Sequence, residues 1–175
     1  LDGRYRLGLW VRDSTAGVGT LSFYDPQTKS YGALGHAVTD LDTEIILPIR
    51  EGTILRSNVV GIRKGERGNP GELQGTFLRD RAEIGDIRSN TEFGIFGKAS
   101  EPLTNPLYPD GLPVGSRTTV HTGPAKILTT LDDTGIHEYD VEITRVAQQE
   151  NASQKSMTLR VTDPVLLEKT GGIVQ

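Results

Sequence analysis

Hydrophobic and polar residues alternate along the chain in short runs with a period near two, and turn-forming clusters interrupt the runs at close intervals. That pattern predicts strands rather than helices. RYRLGLWV at 4–11 and VGTLSFY at 18–24 read as the first two. The turn DPQTK, with Pro26 at its second position, joins the latter to YGALGHAV at 31–38 as a hairpin. EIILPI at 44–49 and TILRSNVVGIRK at 53–64 follow, then a Gly/Pro-rich loop at 65–72. LQGTFL at 73–78 and EFGIFGKAS at 92–100 resume the strand pattern. The segment 101–111 carries three prolines, reads as irregular surface chain, and marks the divide between two halves. Beyond it lie SRTTVHTG at 116–123, AKILTTLDD at 125–133, HEYDVEITRVA at 137–147 and MTLRVT at 157–162. One helix is predicted, over 164–170. Asp163 suits its N-cap, Pro164 its first position, and Gly171 or Gly172 its stop. GIVQ at 172–175 begins another strand-like run. The fold class is all-β, a sandwich or barrel.

Composition narrows the classes. The 175 residues make one large domain or two small ones, and 35% hydrophobic with 24% charged residues is a globular mixture. The net charge is −4 with no basic stripe, which argues against a nucleic-acid partner. The absence of cysteine excludes disulfides and thiolate metal sites. No apolar run approaches the roughly 20 residues of a membrane span, and there is no signal peptide. The chain begins at Leu1 inside a strand-like pattern, so it reads as part of a longer protein and any targeting segment is expected outside it.

Four side chains carry candidate chemistry: His36, Asp40, Asp42 and Asp163. His36 stands after Gly35 with Asp40 and Asp42 close behind, and histidine is the side chain best placed to act as a base near neutral pH. The bland alternative is a histidine at a strand end. His121 and His137 sit in alternating strand patterns with polar neighbours and read as surface residues. His36, Asp40 and Asp42 are also the candidate ligands of a metal-dependent hydrolase, but their spacing matches no zinc signature, so no metal or cofactor is assigned. Asp132 and Asp133 open a turn, where aspartate is explained by bonds to nearby backbone. Asp163 has two readings: a helix cap bonded to amides near Leu166, or a carboxylate within about 3 Å of the His36 ring that fixes its tautomer.

The segments RDSTAGVGTLSFYDPQTKSYGALGHAVTD, GNPGE, FGIFG, GPAKILT and TDPVLLEKTGGIVQ, in that order, resemble the stage IV sporulation protein B family of serine peptidases. The resemblance implies a trypsin-like double β-barrel, with a first barrel at roughly 1–100 and a second at roughly 112–175. It places the general base of G-A-L-G-H on His36 and the triad acid of T-D-P on Asp163; Asp40 and Asp42 are the alternative acids. The family's nucleophile lies in G-M-S-G-S-P, directly after G-G-I-V-Q, and the chain ends at Gln175 without that serine. The 175 residues are therefore expected to be inactive, with the second barrel incomplete and an open sheet edge able to pair with another chain. A PDZ domain and a membrane anchor are expected upstream, outside this chain. The implied role is cleavage of the extracytoplasmic part of a regulator of a membrane-embedded protease, between the mother-cell and forespore membranes, so that a sigma factor is processed. The rival class is a non-catalytic β-barrel module that holds a protein partner.

Overall fold

The computed structural model describes residues 16–35, 37–40, 43, 45–49, 51–77, 83–116, 118–147 and 156–172. The strands expected at 4–11 and 172–175, together with His36 and Asp42, lie wholly or partly outside these residues. In chain order the strands are β1 (Phe23–Tyr24), β2 (Ser30–Leu34), β3 (Thr53–Leu55), β4 (Ser57–Arg63) and β5 (Glu72–Phe77). They continue with β6 (Glu83–Thr91), β7 (Gly94–Ala99), β8 (Gly123–Thr130), β9 (Ile136–Val146) and β10 (Met157–Val161), and the helix α1 is Pro164–Thr170. The all-β expectation holds, and the helix falls on the expected residues. The strands form open antiparallel sheets, with no closed barrel among the described residues.

The hairpin at the start forms for a local reason. The Asp25 carboxylate accepts the Gln27 amide at 2.9 Å and the Thr28 hydroxyl at 2.6 Å, which closes the turn. These bonds, the Thr28 hydroxyl first, hold the Asp25 carboxyl below its ordinary value. β2 then pairs with β7, β7 with β6, and β6 with β3, giving a five-stranded sheet in the order β1-β2-β7-β6-β3. Tyr31 and Gly97 are register partners, as are Gly97 and Ile87. The Tyr31 ring, 1% exposed, donates its hydroxyl proton to the Asp86 carbonyl at 2.8 Å. Only glycine fits at 97 beneath that contact: a Cβ there would stand 1.9 Å from the Asp86 oxygen and 2.9 Å from the Tyr31 hydroxyl. Burial, with the Asp86 charge second, pushes the Tyr31 phenol up to about 12.

β6 has a bulge. Ile87 pairs with Gly97 and Ser89 with Phe96, so Arg88 is the extra residue. Strand alternation by itself would place Asn90 on the face of Asp86. The bulge moves it instead to the face of Ile87, where its register partner is Ile95, itself opposite Ala33 of β2. That is the face of buried Tyr31. β6 is absent from the sequence expectation for the same reason, because the bulge breaks the period of two.

β8, β9 and β10 form an antiparallel meander. Leu166 of α1, 2% exposed, packs with Leu131 and Tyr139 as a core, bordered by Ile127 and Val161. Ile62 of β4 and Leu73 of β5 border the same core, so the hairpin of the first half covers the helix of the second. The Gly65 amide donates to the Thr170 carbonyl at 2.8 Å, where the helix ends. Gly171, at φ 75°, is a left-handed cap, and a Cβ on it would meet the Gly65 oxygen at 2.2 Å.

Two strand expectations fail. Of 116–123 only Gly123 is strand among the described residues, as the start of β8, and Thr118 and Thr119 lie in a turn: the Thr119 hydroxyl accepts the Ser116 amide at 2.9 Å, and the Thr119 amide donates to the Ser116 carbonyl at 3.0 Å. Serine and threonine hydroxyls here compete with the ladder for backbone groups. Among the described residues of 44–49 only Ile46 bridges, to Thr39. The run 53–64 is two strands divided at Arg56, and they join different sheets.

Candidate active site

β2 ends at Leu34, and Gly35 turns the chain out of the sheet at φ 150°, a conformation that favours glycine. His36 follows. It lies outside the described residues, but the backbone on both sides of it is held. The Gly35 amide donates to the Phe93 carbonyl at 3.1 Å, in the turn between β6 and β7. Two residues past His36, the Val38 amide donates to Asn90 Oδ1 at 2.8 Å. Asn90 Nδ2 donates back to the Val38 carbonyl at 2.7 Å and to the Leu47 carbonyl at 3.0 Å. Leu47 in turn donates its amide to the Val38 carbonyl at 3.0 Å. The loop bearing the candidate base is thus fastened on one side to the β6–β7 turn and on the other to β6.

Asp40 builds the loop's own turn. Its Oδ1 accepts the amide and the hydroxyl of Thr43, both at 3.0 Å, and its amide donates to the Ile45 carbonyl at 2.9 Å. Asp42 lies outside the described residues.

Asp163 is the N-cap of α1. Its Oδ1 accepts the Val165 amide at 2.9 Å and the Leu166 amide at 3.0 Å, with extended backbone at φ −69° and ψ 122°. The amides of Thr162 and Asp163 both donate to the Asp140 carbonyl, at 3.1 and 3.0 Å, which anchors this corner to β9. The cap engages one carboxylate oxygen. Tyr139 stands close enough to feel the charges of Lys169, Asp132 and Asp163, and burial raises its phenol above the ordinary value.

The remaining polar groups explain themselves structurally. Asp132 opens the β8–β9 turn and pairs with Lys169 of α1 at 2.6 Å. His137 Nε2 meets the Thr134 hydroxyl at 2.8 Å, and His121 Nδ1 meets the Thr119 carbonyl at 3.1 Å, both exposed as expected. Among the described residues no three His, Asp or Glu side chains converge as a metal site. No helix among them is long and apolar enough to cross a membrane. Asn90 escaped notice in the sequence, because an asparagine near a strand end is ordinary turn chemistry until the bulge is known.

A family model described as SpoIVB peptidase S55 matches residues 3–175, nearly the whole chain. No curated protein and no solved structure matches it.

Proposed function

The chain belongs to the SpoIVB peptidase S55 family, and on that premise we propose that it is the core of a serine endopeptidase of sporulation signalling with His36 as general base. The observation that carries the reading is the family match over residues 3–175, with G-A-L-G-H intact at 32–36. In this reading His36 takes the proton from the serine hydroxyl as it attacks the scissile carbonyl, then returns it to the leaving amine. The nucleophile is the serine of G-M-S-G-S-P, a motif the 175 residues do not contain. Asp163 orients the imidazole through Oδ2, while Oδ1 keeps the helix cap. Asp40, engaged in its turn, and Asp42 are the alternative acids.

The finer assignments follow from the same premise. The five-stranded and three-stranded sheets belong to the two halves of a trypsin-like double barrel. An open sheet edge of the second half is where another strand pairs. The substrate is the extracytoplasmic part of a regulator bound to a membrane-embedded protease, met between the mother-cell and forespore membranes.

Labelling of the intact protein by a serine-directed fluorophosphonate tests the reading. Labelling is expected, and His36→Ala should abolish it. The 175-residue chain alone should neither label nor turn over peptide. Intact protein that does not label would favour the rival, a module that holds a protein partner without cleaving it.

A further inference from the structure

We propose that Asn90 is a positioning residue for His36: its carboxamide, turned inward by the Arg88 bulge, clamps the backbone two residues past the base and so holds the loop that carries it. The proposal rests on the assignment of His36 as base. Asn90 presents an acceptor and a donor side by side, as a peptide group does. Against Val38 it reproduces both hydrogen bonds of an antiparallel rung, at 2.8 and 2.7 Å. Its second N–H reaches the Leu47 carbonyl at 3.0 Å, so both donors are used. The amide orientation is fixed by its partners, since reversal would set its oxygen against two carbonyls.

Two features separate this from ordinary packing. Asn90 occupies the face of Tyr31, Ala33 and Ile95, where an apolar side chain would pack without having to satisfy any polar group. And it grips the one loop that carries the base. Gly35 is held to the Phe93 carbonyl from the same pair of strands. Gly35 and Val38, on either side of His36 in the chain, are therefore anchored to one hairpin. Displacement of a catalytic group by about 1 Å costs on the order of a hundredfold in rate.

The test uses the intact protein and compares Asn90→Leu and Asn90→Asp with wild type and with His36→Ala. Leucine keeps the volume and removes the clamp. Aspartate keeps the Val38 acceptor and turns the second oxygen against two carbonyls. Readouts are the fluorophosphonate labelling rate, kcat and KM on a peptide, the thermal midpoint, and exchange of the Val38 amide proton. Both Asn90 variants should lose about 10- to 100-fold in kcat with KM within about twofold. The Val38 amide should lose protection, and Asn90→Leu should remain folded. Wild-type labelling in both Asn90 variants, with His36→Ala inactive, would overturn the positioning role and leave the base assignment standing. Wild-type labelling by His36→Ala would instead remove the base assignment itself, and the proposal with it.

Discussion

Replacing Asp163 separates two roles that share one side chain. Asp163→Ala strips the acceptor from the amides of Val165 and Leu166, the second of them part-buried against the core. Loss of an N-cap acceptor costs about 1 kcal/mol, and up to about 2 where the amides are shielded from water. For a chain of this size each 1 kcal/mol moves the thermal midpoint by roughly 2–4 °C. Asp163→Ala should therefore lower the midpoint of the 175-residue chain by about 2–8 °C. Asparagine caps about as well as aspartate, so Asp163→Asn should stay within about 2 °C of wild type. The assay is thermal or urea unfolding followed by circular dichroism. An asparagine variant as unstable as the alanine one would refute the cap as the source of the effect. In the intact enzyme the order reverses in interest. Asparagine keeps the helix start but takes away the charge that stabilises an imidazolium, a change that costs about ten-thousand-fold in a working triad. Near-normal turnover by Asp163→Asn would move the acid to Asp40 or Asp42.

The other expectations concern stability. The Lys169 ammonium, then the Thr134 hydroxyl and amide, hold the Asp132 carboxyl well below its ordinary range. A carboxyl depressed in the folded state stabilises it above the unfolded value of about 3.9 and loses that contribution as pH falls toward the folded one. Urea midpoints of wild type and Asp132→Asn should thus differ at pH 7 and draw together in acid; a gap that does not narrow between pH 4 and pH 2 would refute the pairing. Because both partners are well exposed, molar salt should narrow the gap at pH 7 as well. Gly97→Ala should destabilise by about 3 kcal/mol or more, as its Cβ meets a backbone carbonyl that cannot yield; wild-type urea resistance would contradict the packing. Tyr31→Phe removes one hydroxyl bond to Asp86 and should cost about 1–2 kcal/mol in urea unfolding.

Local chemistry was legible in the sequence, and long-range geometry was not. The helix at 164–170 could be read because cap, first-turn proline and terminal glycine are contiguous. The turn after Tyr24 could be read because Asp25 and Thr28 close it within four residues. β6 could not, since Arg88 shifts the alternation midway along the strand. Residues 116–123 misled because threonines that favour strands also form hydroxyl-closed turns. At the site, the family motif singles out His36 and Asp163. The hold of Asn90 on Val38 spans 52 positions and leaves no local trace.

The docking of β4 and β5 against α1 has a consequence for how the chain acquires its shape. Gly65 and Thr170 are separated by more than half the sequence, yet their backbones are bonded. Contacts of such separation pay their loop-closure entropy before they return anything, which slows folding. On a ribosome the hairpin emerges early and its Ile62 and Leu73 must wait, without their covering, until Leu166 has been synthesised. Residues 57–77 are thus made with the first half and completed by the second. A break in synthesis ahead of 166 would leave an apolar hairpin face exposed to whatever chaperone or neighbouring chain reaches it first.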